Sequence, residues 1–277
     1  MKKGIYFWAG CALALIVITG FYGFSLTRAT GGNIEYQVVC FGDSILGNYR
    51  GDTSITGYLA EETGQTVANC GLGGTTLALT NSDYRNDSKN DDLSLTRITQ
   101  AVWLKDFSVL KSEFASNNDI KEYFPETLKL ICRIDYKNTD VIFIEQGLND
   151  YMSGIPLANQ QDLYDCYTYG GALRTSIERL KKACPDTRII LCTPTFSEYE
   201  LEAGVMKGCD VQDFGGGILS EYADTMKEIA GEYNLEVLDN YYESGITLNN
   251  VKNYTEDGIH LNEKGRKLIA DRMSQLL

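Results

Sequence analysis

Val38-Val39-Cys40-Phe41 runs directly into Gly42-Asp43-Ser44. Four consecutive apolar residues, with no polar face alternating between them, read as a strand covered on both sides. The glycine turn that ends the strand sets Ser44 at its carboxyl edge, where open α/β sheets hold their ligands. Far along the chain stands the single histidine, His260, in Asp257-Gly258-Ile259-His260. A serine hydroxyl is a poor nucleophile until a neutral imidazole takes its proton, and the imidazole serves best when a carboxylate holds its other nitrogen. Ser44, His260 and Asp257 are the three groups that a serine hydrolase requires.

Working outward, strand and helix signals alternate. Residues 36–41 form the first strand, 55–63 a helix closed by Gly64, and 66–69 a short second strand. Val141-Ile142-Phe143-Ile144 is another continuous apolar run, the mark of a strand buried on both faces. Leu173, Ile177, Leu180 and Cys184 fall at helical spacing, followed by Pro185 and a strand over 189–192. A helix over 218–233, a short strand over 236–238 and a closing helix over 262–277 complete the pattern. Such alternation predicts an α/β fold, a parallel sheet of about five strands with helices on both faces, in three layers. Residues 76–139 interrupt the rhythm with a polar stretch, 81–92, and helical material over 95–114 and 120–134. We read them as a helical cap or rim near the site. Asp87, Asp91 and Asp92 lack the alternating ligands, glycine and terminal glutamate of a calcium loop and read as a solvated turn.

The amino terminus differs from the rest. Lys2 and Lys3 precede an uncharged apolar run over residues 4–26, which as a helix would span about 34 Å, enough to cross the hydrocarbon core. Residues 1–32 are therefore expected to be a transmembrane signal anchor and short linker, with a cleaved signal peptide as the alternative, and residues 33–277 the folded domain. By the positive-inside rule the lysines stay in the cytoplasm. The expected address is the cell membrane, single-pass with an extracellular carboxyl-terminal domain, or secretion after cleavage.

The net charge is −13, and removing the three cations of residues 1–32 leaves −16 for residues 33–277. So acidic a domain does not attract nucleic acid or an anionic lipid surface. Eight cysteines are present, mostly at apolar positions where thiols act as small hydrophobes. Cys166, Cys184 and Cys209 are left open for pairing. No Cys-x-x-Cys pair exists and one histidine cannot build a polyhistidine metal site, so neither metal nor cofactor is expected.

Four separated blocks line up at strand ends: Gly42-Asp43-Ser44-Ile45, Asn69-Cys70-Gly71-Leu72-Gly73-Gly74-Thr75, Gly147-Leu148-Asn149-Asp150, and Asp257-Gly258-Ile259-His260. In this order they resemble the SGNH/GDSL family of serine esterases and lipases, over essentially the whole of residues 36–277. The resemblance implies a flavodoxin-like SGNH hydrolase fold, with Ser44 as nucleophile, His260 as general base and Asp257 orienting it. It further implies an oxyanion hole from the Ser44 N–H, the Gly74 N–H and the Asn149 side-chain amide. The second block, Gly-Gly-Thr, departs from the Ser-Gly-Asp common in the family and leaves Gly73 as an alternative to Gly74.

The activity this implies is hydrolysis of small acyl esters, with carbohydrate-linked esters among the candidate substrates. Three readings compete with it: an acyltransferase to a sugar hydroxyl, a lipase or lysophospholipase, and a non-catalytic surface binding module. An α/β-hydrolase is disfavoured by the missing Gly-x-Ser-x-Gly elbow. A binding module would be expected to have lost one of Ser44, Asn149, Asp257 or His260, and all four are present. Oligomeric state is not legible in the sequence.

Overall fold

The computed structural model describes residues 33–80, 91–116, 122–202 and 204–277. In chain order, β1 (Val38–Gly42) is buried along its whole length, as an unbroken apolar run demands. One residue later begins a single turn of helix, α1 (Ser44–Gly47), capped by Asp43, whose carboxylate accepts the Ile45 N–H at 2.9 Å. Next come α2 (Ile55–Thr63), started by the Ser54 side chain and stopped at Gly64 in the left-handed conformation, and β2 (Val67–Asn69). Three helices follow, α3 (Leu95–Leu104), α4 (Ser108–Ser116) and α5 (Phe124–Ile131), then β3 (Val141–Glu145), α6 (Leu148–Met152) and α7 (Tyr169–Ala183). The chain continues through β4 (Arg188–Cys192), a hairpin of β5 (Glu198–Glu202) and β6 (Val205–Gly208), and α8 (Leu219–Tyr233). It ends with β7 (Glu236–Leu238), α9 (Asn240–Glu243) and α10 (Glu263–Ser274).

The main sheet is parallel throughout, in the order β2-β1-β3-β4-β7. Leaving out the hairpin strands, this is the flavodoxin-like order 2-1-3-4-5, whose winding reverses between β1 and β3. Register makes the reversal useful. Gly42 stands opposite Glu145, and Glu145 opposite Cys192, so the three central strands finish level at their carboxyl ends. The loops carrying Ser44 and Asn149 therefore open side by side. Right-handed crossovers lay helices on opposite faces for the two winding directions. Accordingly α2 packs with α10, while α3 packs along α7 and α7 against α8. The result is a three-layer αβα fold.

Several boundaries move from their sequence-read positions for identifiable reasons. The first strand starts at Val38 instead of 36, because the Gln37 N–H goes to the Thr66 hydroxyl outside the ladder. The helical run over 95–114 is broken where Lys105 takes a positive φ of 55° and the Asp106 carboxylate accepts the Ser108 N–H. The expected 120–134 helix is shorter, with Pro125 in its first turn. The hairpin Glu198–Gly208 was not anticipated at all; its first strand alternates with glutamates and its second is only four residues long, so neither carries a long apolar run.

Within residues 76–139, α3 joins the flanking layer. Thr99 Oγ1 bonds Ser176 Oγ at 3.3 Å, and the Arg179 guanidinium donates to the Thr96 carbonyl at 2.6 Å. Tyr123, from the same segment, reaches the glycine turn after β2. Cys40, Cys70, Cys132, Cys166, Cys184, Cys192 and Cys209 are all free thiols, so the three left open for pairing do not pair with one another. No helix among the described residues is long and apolar enough to cross a membrane. The expected anchor over 4–26 and most of the polar stretch 81–92 lie outside the described residues.

Candidate active site

Ser44 begins α1 one residue after β1 turns over at Asp43, and it is 7% exposed. Its Oγ lies 3.0 Å from His260 Nε2. The other ring nitrogen, Nδ1, is 2.7 Å from Asp257 Oδ2. Residues 216 positions apart in sequence thus form one hydrogen-bonded chain, hydroxyl to imidazole to carboxylate.

Local structure explains why the imidazole is held there. Asp257 Oδ1 accepts the N–H groups of Ile259 at 3.0 Å and His260 at 2.7 Å, so the turn closes on the same carboxylate that grips the ring. Gly258 allows this turn with φ +90°, and a Cβ there would meet the Glu198 carbonyl oxygen at 2.6 Å. The Glu198 N–H in turn donates to the Gly258 carbonyl at 2.9 Å, so the hairpin buttresses the histidine loop. Arg266, buried beneath, donates to the carbonyls of Leu261 and Thr53, both at 2.8 Å, and ties that loop to the entry of α2. Burial works to raise the Asp257 carboxyl, but the bonds from the imidazole and the two N–H groups outweigh it. They hold the carboxyl below its usual value, in the ionised form an orienting group needs.

The second and third blocks meet on the other side of Ser44. The chain after β2 continues alongside β1: the Cys70 N–H donates to the Cys40 carbonyl and the Leu72 N–H to the Gly42 carbonyl, both at 2.9 Å. This zips the Gly71–Gly74 turn against the strand that ends at Gly42. Gly74 is exposed, with φ +85°, and its N–H has no intramolecular acceptor among the described residues; the same holds for the Ser44 N–H. The Gly73 N–H, by contrast, donates to Tyr123 Oη at 2.9 Å. Asn149, on α6, donates through Nδ2 to the Thr75 carbonyl at 3.0 Å. That bond uses one of the two amide hydrogens and fixes the direction of the other.

A family model of the GDSL-like lipase/acylhydrolase family matches residues 40–268. The chain belongs to this family. The GDSL-like fold recurs among solved structures. One crystal structure, 23% identical, matches with a TM-score of 0.64 over 87% of this chain and 95% of its own. A protein from Lactobacillus plantarum is 19% identical, with a TM-score of 0.60 over 88% and 98% of the two chains. A possible lipase from Chitinophaga pinensis is 20% identical, with a TM-score of 0.56 over 86% and 96%. No curated protein matches the sequence. As a GDSL-like hydrolase, the protein is an enzyme of ester hydrolysis.

Beneath the surface of this GDSL-like site lies acidic material. Glu145, at the end of β3, is buried, and burial first, then the nearby Asp43, pushes its carboxyl well above the usual range. Asp150, also buried, is pushed up to about 7 by desolvation, against the pull of its backbone bonds. Those bonds are informative. Asp150 accepts the N–H groups of Leu77 at 2.8 Å and Ala78 at 2.9 Å, so it pins the exit of the Gly71–Thr75 turn to the helix that carries Asn149.

Three contributors escaped the sequence reading: Tyr123, Arg50 and the Glu198 hairpin. Arg50 donates to the carbonyls of Gly47 at 3.0 Å, Asn69 at 2.9 Å and Gly71 at 2.6 Å, and sits 4.5 Å over the Tyr123 ring. It ties the first block to the second. Nothing in its sequence position marks it, because a partly buried arginine is recognised only by the carbonyls that surround it.

Proposed function

We propose that the protein is an extracytoplasmic serine esterase that hydrolyses short acyl esters, carbohydrate-linked ones among them. The observation that carries this reading is the hydrogen-bonded chain Ser44–His260–Asp257. His260 takes the Ser44 proton as Oγ attacks the ester carbonyl, and Asp257 stabilises the imidazolium that results. The Ser44 N–H, the Gly74 N–H and the Asn149 amide receive the charge that develops on the carbonyl oxygen. The imidazolium then protonates the leaving alcohol. Water, deprotonated by the same histidine, frees the acyl group from Ser44.

For Gly74 over Gly73, the support is that the Gly73 N–H is already committed to Tyr123. For short acyl groups, it is the net charge of −16 over residues 33–277, which opposes extraction of long-chain esters from an anionic bilayer, with the total read as −13 and the tail as +3. The address rests on the charge-free apolar run over residues 4–26 behind Lys2 and Lys3.

A fluorophosphonate probe tests the assignment. Labelling of the wild-type protein, lost in Ser44→Ala, is the expected result. Labelling that persists in Ser44→Ala removes the nucleophile from this position.

A further inference from the structure

At the corner between α3 and α4, a group of large apolar side chains faces solvent. The inward face of α3 is made by Ile98, Ala101 and Val102, all buried. Trp103 and Leu104 fall outside that stripe, and Lys105 ends the helix with its positive φ. Trp103 is 40% exposed, Leu104 53%, and Val109, in the first turn of α4, 47%. Leu104 and Val109 line one groove. Large apolar side chains clustered on a surface mark a place of contact with another apolar body.

Position and charge say what that body is. The corner adjoins the point where the folded domain receives the preceding chain: Asn33, Lys105, Phe107 and Lys137 line one cavity of about 320 Å³. The charge-free apolar run over residues 4–26 stops just short of Asn33, at most about 25 Å of extended chain away. The net charge of residues 33–277 is −16, yet the balance reverses here. Around the groove and cavity, Arg97, Lys105, Lys137 and Lys182 outnumber Asp92, Asp106 and Asp135. Lys182 Nζ lies 5.5 Å from the centre of the Trp103 ring. Aromatic rings flanked by lysine stems suit the headgroup level of a bilayer, where the ring sinks and the ammonium stays in water.

We propose that this corner rests on the lipid bilayer, with Trp103, Leu104 and Val109 entering the headgroup region and the lysines at its rim. The proposal rests on the membrane anchor in the reading above and extends it from attachment to orientation. The face is small and the domain acidic, so it does not bind lipid from solution. The tether supplies the effective concentration that the contact needs. Orientation also selects the source of the substrate. Asn33 precedes β1, Tyr136 and Lys137 precede β3, and Ala183 precedes β4, so the corner lies where the strands begin. Ser44 and Asn149 follow their carboxyl ends, about 17 Å away along strands of five residues. The site then opens away from the lipid and draws its esters from the surrounding medium.

Trp8 and Trp103 are the two tryptophans of the chain, so Trp8→Phe leaves Trp103 as the single reporter and keeps the run apolar. The full chain with Trp8→Phe is reconstituted in phosphatidylcholine vesicles, plain or brominated in the acyl chains. Trp103 should emit at shorter wavelength than in detergent and lose intensity in the brominated vesicles, as a ring about 5–10 Å below the surface does. Adding Leu104→Glu and Val109→Glu, both at exposed positions, should abolish the quenching and leave kcat/KM on p-nitrophenyl acetate unchanged. Equal emission in the two kinds of vesicle overturns the docking. If Trp103 is then also shielded from aqueous iodide, a second copy of the chain covers the corner instead. Quenching that persists in the glutamate variant overturns it as well, since the tether alone then accounts for the depth. The anchor fails separately: a full chain that does not float with the vesicles removes the anchor, and the docking with it.

Discussion

Tyr123 Oη accepts the Gly73 N–H at 2.9 Å, and this single bond separates the roles of two adjacent glycines. Gly73 is committed to the scaffold, while the next N–H along, that of Gly74, has no acceptor among the described residues. Because Arg50 stacks on the Tyr123 ring and holds the Gly71 carbonyl, tyrosine and arginine together set the pose of the turn. Tyr123→Phe keeps the ring but leaves the Gly73 N–H without its acceptor and the turn free to rotate. We expect kcat to fall roughly tenfold, in line with the cost of one unsatisfied buried donor, with KM changed less than about twofold. A rise in KM at constant kcat would instead place Tyr123 in substrate binding.

Nucleophile and base act as a unit, so Ser44→Ala, His260→Ala and the double variant should lose similar activity, on the order of 10⁴-fold or more. Asp257→Asn should cost less than either by roughly two orders of magnitude. The Asp257 carboxyl is held below its ordinary value by the imidazole and two N–H groups. It therefore stays ionised well below neutral pH. The acid limb of kcat/KM against pH should have a slope of one proton, and Asp257→Asn should lower the plateau without adding a second ionisation. A slope of two in the wild type would mean that Asp257 also titrates there.

How much of this was legible in the sequence follows from what kind of signal each part leaves. The buried strands announce themselves as apolar runs, and Val141–Glu145 lies within one residue of its expected span because burial on both faces permits no polar interruption. Helices with a side-chain cap and a glycine stop, such as Ile55–Thr63, are equally plain. The Glu198–Gly208 hairpin leaves no such trace, since acidic residues alternate along its first strand and it is held by contacts with Gly258 and Phe214. In the site, Ser44, His260 and Asp257, singled out in the sequence for their side-chain chemistry, do lie in one hydrogen-bonded chain. Tyr123 and Arg50 were not, because they act through backbone groups and any large donor or acceptor at the right place would serve.

Asn149 offers a second amide hydrogen while the first is held by the Thr75 carbonyl at 3.0 Å. Asn149→Ala removes both the donor and the tie to the turn. The expected loss is about 10²–10³ in kcat, or about 2.7–4 kcal/mol of transition-state stabilisation, with folding retained. Asn149→Asp should be at least as damaging, because it faces the developing oxyanion with a negative charge. If Asn149→Ala kept wild-type kcat, the amide would be a scaffold group only.

The unit Asn33–Leu277 begins with a bridge between Ile34 and Ile134, just ahead of β1. Removing residues 1–32 should therefore leave a folded esterase with unchanged kcat/KM on p-nitrophenyl acetate. The full chain should sediment with membranes and the shortened one should not. Equal partitioning of the two would contradict the anchor, and recovery of a native product starting near Thr30 would favour cleavage and secretion.

The buried acids give a prediction about stability and pH. Asp150 is pushed up to about 7 by burial, whereas in the unfolded chain it returns to the ordinary aspartate value near ~4. Between those values the folded protein holds a proton that the unfolded chain has released. Unfolding free energy therefore falls as pH rises through this window, and the contribution is fully present only below the unfolded value. Glu145, also raised by burial, acts in the same direction. Asp150→Asn removes the ionisation, so its stability should vary less between about pH 4 and 7 than that of the wild type. The substitution has its own cost. An amide oxygen replaces one of the two carboxylate oxygens that accept from Leu77 and Ala78, so one N–H loses its acceptor and the variant should be less stable at pH 4. Urea unfolding at several pH values separates the two effects as a lower intercept and a flatter slope. A variant whose stability falls with pH as steeply as the wild type's would show that Asp150 is already ionised in the fold.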